Sequence, residues 1–338
     1  MMGRQSPMLQ RHQTAGHSLL FDIVRLPRKV RQDARRLRVN TEVEHLTFQL
    51  DEVTIHAAAA GPQECPVVIL LHGFPEFWYG WRGQIAPLAS AGFRVVVPDQ
   101  RGYNQSSKPQ GWQAYTVPNL VGDFLGIAGR LERQQFMLAG HDWGGVIAWA
   151  CAMGHQDRVS RLGILNAPHP SVFGEYARTH PAQLLRSWYI FFMQLPRLPE
   201  FLFEAQNFRA MTEALTKSSR PGTFSEQDFT AYREAWRKPG APTAMINWYR
   251  ALRAPASAGN PVIEVPVRIL WGALDRALSA DLAELSLRYC KRGELTMFPD
   301  ATHWLQHEEQ ESVSRALAEF FCLHGKARVC AIRPEIER

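Results

Sequence analysis

Beyond residue 40 the chain alternates short apolar runs with stretches whose apolar positions recur at helical spacing. Strands are expected at 44–50, 53–60, 67–72, 94–98, 135–140, 162–166, 267–271 and 294–298, and helices at 81–90, 118–131, 143–154, 278–289 and 309–322. The first two strands flank Asp51-Glu52 and read as a hairpin. The later alternation reads as parallel strands joined by crossover helices. Val67-Val68-Ile69-Leu70-Leu71 is apolar at every position, as befits a strand covered on both faces.

Between 168 and 262 this rhythm stops. The stretch is helical in pattern, rich in Phe, Trp and Tyr, and broken by Pro196, Pro199, Pro221, Pro239 and Pro242. Strand character resumes at Val267. A helical insertion that leaves a sheet and returns to it reads as a cap over the sheet's carboxyl edge, where α/β folds bind ligands. The expected organisation is a leader over 1–40, core over 41–167, cap over 168–262 and core again over 263–338. The fold class is α/β, a mostly parallel central sheet with helices on both faces and an inserted helical cap.

Composition adds limits. A chain of 338 residues with 46% apolar and 21% charged side chains is globular and long enough to bury a substantial core. Its apolar runs fall far below the about 18 residues that span a bilayer. Five scattered cysteines, Cys65, Cys151, Cys290, Cys322 and Cys330, make neither a disulfide framework nor a Cys-x-x-Cys zinc pair, so the expected address is the reducing cytoplasm.

The net charge of +6 suggests a polyanion partner until it is located. Residues 1–40 hold nine Arg or Lys against Asp22 and Asp33, so the leader carries +7 and the remainder −1. A general nucleic-acid surface is therefore not supported. The leader lacks the order of a signal peptide and reads as a partly ordered extension. The alternative is an amphipathic basic helix over 18–38 that rests on the body or makes peripheral contact with an anionic membrane.

The chemistry starts at Gly140-His141-Asp142-Trp143-Gly144-Gly145, between the apolar Phe136-Met137-Leu138-Ala139 and the helix signal Val146-Ile147-Ala148-Trp149. Gly-x-nucleophile-x-Gly at a strand-to-helix corner is a nucleophile elbow. The central side chain here is a carboxylate, which is nucleophilic without a base and suits attack on a saturated carbon bearing a leaving group. A plain helix N-cap would also favour Asp, but would not need the flanking glycines or the strand. His72-Gly73-Phe74-Pro75 ends the earlier apolar strand, so the backbone amides of Phe74 and Trp143 are the candidate oxyanion hole. Phe74-Pro75 is a candidate cis bond.

An acid and a histidine then follow in the chain order the elbow requires. Asp275 comes just after Val267–Leu270, and His303 follows Leu295–Phe298 and its Pro299-Asp300 turn. His303 would activate water while Asp275 orients its ring. Asp281 is the competing acid, inside a helical pattern and expected to be solvated. His141, His155, His169 and His307 are expected to be structural or exposed.

From about 44 to 323 the chain resembles the α/β-hydrolase superfamily, and specifically its epoxide hydrolase branch. The resemblance rests on His72-Gly73-Phe74-Pro75-Glu76, Pro98-Asp99-Gln100-Arg101-Gly102-Tyr103, the Asp142 elbow, Asp275 and His303. The branch carries two ring-opening cap tyrosines. Ile246-Asn247-Trp248-Tyr249-Arg250 is similar to its second cap motif, which puts one at Tyr249. The other motif should lie in 187–196, whose only tyrosine is Tyr189; some members place theirs one turn later, where this chain has Phe192. Thr302 stands where the family often has Gly, and Asn104 where Gly is common.

The resemblance implies conversion of a small apolar epoxide and water to a vicinal diol. Asp142 would form an ester, Tyr189 and Tyr249 would protonate the alkoxide, and neither metal nor organic cofactor would be needed. Trp188, Phe191, Phe192 and Trp248 suggest the apolar substrate. A haloalkane or haloacetate dehalogenase shares the Asp nucleophile, with Trp143 as one halide donor. Yet Phe74 offers no side-chain donor, and no Arg follows Asp142. A non-catalytic binding protein of the same fold should lack at least one of the nucleophile, acid or histidine.

Overall fold

A computed structural model describes residues 41–254 and 259–322; the basic leader, with the helix considered for 18–38, lies outside the described residues. Eight strands form one sheet: β1 (Glu44–Gln49), β2 (Thr54–Ala60), β3 (Val67–Leu71), β4 (Arg94–Pro98), β5 (Phe136–His141), β6 (Val159–Leu165), β7 (Val267–Gly272) and β8 (Gly293–Phe298). Their spatial order is β1-β2-β4-β3-β5-β6-β7-β8. The first two strands form the expected hairpin, with Gln49 opposite Thr54, and β2 pairs antiparallel with β4. From β4 to β8 every pairing is parallel.

The all-apolar β3 lies inside the sheet between β4 and β5, with all five residues buried. Its side chains alternate between faces, as the two-residue period of a strand demands. Val67, Ile69 and Leu71 join one core cluster with Phe124 and Ile147, whereas Val68 and Leu70 join another with Ile85, Leu88 and Phe321. β6 begins three residues before the apolar signal at Leu162. Ser160 and Arg161 are only half-buried, so they lack the apolar mark of a strand although they belong to one.

Helices α1 (Arg82–Ser90), α2 (Val117–Arg130) and α3 (Trp143–Gly154) cover the sheet from the first half. Among the described residues, six α-helices lie between β6 and β7: α4 (Pro170–Thr179), α5 (Pro181–Arg186), α6 (Trp188–Phe192), α7 (Leu198–Ser218), α8 (Glu226–Trp236) and α9 (Ala241–Arg250). Pro170, Pro181, Pro199 and Pro242 open four of them. The missing N–H has no intrahelical partner to lose there, and the fixed φ already suits the helix. Helix α7 is interrupted at Gln206, Asn207 and Phe208, which all take positive φ. The chain then closes through α10 (Asp281–Leu287), α11 (Leu305–Glu308) and α12 (Gln310–Cys322).

Candidate active site

Strand β5 ends at His141 and α3 starts at Trp143, leaving Asp142 alone at the corner. Its φ of 52° lies in the region that non-glycine residues seldom enter. The glycines two residues either side are sterically compulsory. A Cβ on Gly140 would stand 2.2 Å from the Gly144 carbonyl oxygen, and one on Gly144 would stand 2.2 Å from that of Leu71. The turn therefore closes tightly and leaves the Asp142 side chain standing at its apex.

The loop after β3 meets that carboxylate. The Phe74 amide donates to Asp142 Oδ1 at 2.9 Å, and the Phe74–Pro75 peptide is cis. Trp143 is the first residue of α3, where a backbone N–H has no intrahelical acceptor. Of the two amides considered from the sequence, that of Phe74 is bonded to the carboxylate, and that of Trp143 follows Asp142 directly in the chain.

Asp275 lies three residues beyond the end of β7. Its Oδ1 accepts from the Ala277 and Leu278 amides at 2.7 and 3.0 Å, and its Oδ2 from Asn166 Nδ2 at 2.8 Å. His303 Nδ1 is 2.7 Å from the same Oδ2, and His303 Nε2 is 3.6 Å from Asp142 Oδ2. The two loops are locked together. Leu274 N donates to the Ala301 carbonyl at 2.9 Å, and a Cβ on Gly272 would lie 2.0 Å from the Thr302 oxygen. Asp281 takes no part: it accepts from the Tyr176 hydroxyl at 2.7 Å at the start of α10.

The charges in this row support one another. Burial alone would raise the Asp142 and Asp275 carboxyls, but their contacts with His303 outweigh it and hold both below the ordinary range. Burial likewise disfavours a charged His303, yet Asp275 and Asp142 outweigh it and raise the imidazole well above its ordinary value.

The cap supplies two phenols. Tyr249, buried near the end of α9, has its ring centroid 5.1 Å from Trp143, 5.2 Å from Phe74 and 5.9 Å from Tyr189. Burial first, and the Asp142 charge second, push both phenols above their usual value, so each stays a proton-bearing donor at neutral pH. In that segment the Tyr189 ring lies beside Tyr249, whereas the Phe192 ring lies beside Trp188. Gln194 Nε2 donates to the Tyr249 carbonyl at 2.8 Å, tying the two cap segments together. The other aromatics divide. Trp248 is buried and donates to the Arg101 carbonyl at 2.9 Å, while Trp188 and Phe191 are exposed on the cap.

Glu76, read from sequence only as the end of a motif, is the hub of a buried polar network. Its carboxylate meets the Tyr232 hydroxyl at 2.6 Å, His307 Nε2 at 2.6 Å and Gln306 Nε2 at 2.9 Å. His141 Nε2 in turn lies 2.8 Å from the His303 carbonyl, where it donates. Burial would raise the Glu76 carboxyl, but His307 and His141 hold it well below the ordinary range. His141 and His307 are thus buried structural groups. The signal for Glu76 was its place in the His72-Gly73-Phe74-Pro75-Glu76 motif; Asn166 carried only that of a polar residue closing an apolar strand.

Comparison with known proteins agrees with this arrangement. The family pattern of the alpha/beta hydrolase fold matches residues 66–310. The chain belongs to the α/β-hydrolase fold family, and it is a hydrolase. An AB hydrolase superfamily protein, YfhM of Bacillus subtilis, is 43% identical over 269 residues, spanning 79% of this chain and 94% of that one. Epoxide hydrolase 4 of Mus musculus is 38% identical over 271 residues, spanning 78% of this chain and 75% of its own. A crystal structure of the Bacillus megaterium epoxide hydrolase with an inhibitor superposes with a TM-score of 0.75 at 28% identity, covering 82% of this chain and 99% of that one. Within the family the chain falls in the epoxide hydrolase branch.

Proposed function

We propose that this chain converts an apolar epoxide to a vicinal diol through a covalent ester on Asp142. The observation that carries the reading is the Asp142 carboxylate, set between His303 Nε2 at 3.6 Å and the Phe74 amide at 2.9 Å, with the Tyr249 ring against Phe74 and Trp143 and the Tyr189 ring beside Tyr249. An epoxide resting its oxygen on Tyr189 and Tyr249 presents a ring carbon to Asp142. Attack forms the Asp142 O–C bond and breaks the ring C–O bond, and a phenol proton passes to the alkoxide.

Esterification consumes the Asp142 charge, one of the causes that keep His303 protonated. The imidazole then gives its proton to the phenolate and becomes a base, still oriented by Asp275. It takes a proton from water, whose oxygen adds to the ester carbonyl. The Phe74 and Trp143 amides hold the oxyanion, at about 3–4 kcal/mol for each donor lost. Collapse breaks the acyl C–O bond, releases the diol and returns the proton through His303.

The aromatic surroundings of Phe74, Trp143 and Phe203 support an apolar substrate; the Phe203 ring lies 6.0 Å from that of Phe74. A cytoplasmic address with salt-sensitive membrane contact through the leader completes the reading. The direct test is a single turnover in ¹⁸O-water with styrene oxide. Label appearing in the Asp142 carboxylate supports the ester, whereas label confined to the diol excludes it. Halide release from a chlorinated substrate without diol formation would replace the epoxide reading with a dehalogenase.

A further inference from the structure

The turn that carries His303 is held from the far side by a carboxylate that the chemistry above does not use. Glu308 closes α11, and its side chain is fully buried. Its Oε2 accepts from the Thr302 amide at 2.7 Å, and its Oε1 from the Thr302 hydroxyl at 2.7 Å. Oε1 also accepts from the backbone amide of Arg220 at 2.7 Å. Arg220 lies just beyond the end of cap helix α7; its guanidinium donates to the Glu308 carbonyl and pairs with Glu309 at 2.9 Å. The same seam is closed by the Trp304 indole donating to Ser218 Oγ at 2.8 Å and by Phe224 against the Trp304 and His307 rings.

We propose that Glu308 is a positioning residue for His303, and that through Arg220 it ties the placement of the imidazole to the seating of the cap. Thr302 is the residue bonded directly to His303 in the chain, so a shift of its backbone moves the imidazole with it. Its amide and its hydroxyl both donate to one carboxylate, and that carboxylate is shared with the cap. Removing Glu308 leaves the buried Thr302 amide without its acceptor, and the turn must move to recover one. Displacement on the order of 1 Å at a reacting group slows a step about a hundredfold.

This inference rests on the two-step reading, and the two halves separate it from a merely structural role. Ring opening uses Asp142 and the tyrosines, and ester hydrolysis alone needs His303 Nε2 aimed at water. In the full-length chain with styrene oxide, Glu308→Ala is expected to slow ester decay at least thirtyfold, with ester formation within about twofold of native. Arg220→Met keeps both Thr302 bonds and is expected to slow decay several-fold, which covers the case that Glu308→Ala does not fold. Equal loss in both steps, or no change in ester decay, overturns the proposal.

A second arm needs no substrate. The low-field proton NMR signal of the His303–Asp275 hydrogen bond should be sharp in the native chain and shifted or broadened in Glu308→Ala and Arg220→Met. An unmoved signal overturns the proposal. A native chain that forms neither ester nor diol, while the signal still responds, sinks the epoxide reading and upholds the positioning role.

Discussion

His303 stands between two carboxylates at unequal distances, 2.7 Å from Asp275 and 3.6 Å from Asp142. The shorter contact is held by three other donors to Asp275, from Asn166, Ala277 and Leu278, so that carboxylate is fixed. The longer one faces the Oδ2 of a side chain whose Oδ1 accepts from the Phe74 amide. The asymmetry is what the proposed roles require, an orienting acid at Asp275 and a nucleophile at Asp142.

Asp142→Ala is expected to abolish diol formation, because the proposed ester forms on the Asp142 carboxylate. Steady-state turnover by a variant with native circular dichroism is the check. Diol production above one per cent of native would refute the elbow assignment.

His303→Gln should open the ring and then stall. Intact-protein mass spectrometry should show the chain heavier by one substrate, persisting for hours. A variant that never accumulates adduct would show that His303 is not the water-activating base.

Tyr189→Phe and Tyr249→Phe should each slow ester formation about ten- to a hundredfold, and the double variant should nearly abolish it. Each phenol alone still offers a proton, and their joint loss removes the acid. Single-turnover ring opening measures this directly, and an unaffected Tyr189→Phe would reduce that residue to packing.

The displaced titrations make stability depend on pH in two directions. His303 is raised above its ordinary value of 6.5, so its contribution is complete below about pH 6.5 and lost as pH climbs through the folded value. Asp142 and Asp275 are lowered from 3.8, so theirs is present above about pH 4 and lost as pH falls through their folded values. Melting temperature across pH should therefore fall on both sides. In His303→Gln the alkaline fall should shrink, and an identical alkaline limb in both chains would contradict the assignment.

Deleting residues 1–38 is expected to leave turnover per folded molecule near native, because every group assigned to the chemistry lies between Phe74 and His303. Co-sedimentation with anionic vesicles should fall on deletion and on adding salt, at about 1 kcal/mol for each basic residue near the surface. Loss of folding on truncation would show instead that the leader packs on the body.

Much of this protein was legible locally. The continuous apolar run of Val67–Leu71 marked a doubly covered strand because burial on both faces leaves no polar alternation, and the sheet places it inside. Gly140 and Gly144 marked a corner because only glycine survives contacts of 2.2 Å. Such signals are set by neighbours in the chain. The tertiary structure alone decided which side chains meet across long separations. Asn166 reaches Asp275 across 109 residues because β6 and β7 are adjacent in the sheet, and Glu76 reaches His307 across 231 because the β3 loop and α11 converge at one edge. It also set Tyr189, rather than Phe192, beside the Tyr249 ring. Nor did any pattern announce the four hydrogen bonds that join Glu308 to Thr302 and Arg220. A hydrogen bond between distant residues leaves no period in the sequence, because its geometry exists only once the strands and cap that carry its two ends have packed.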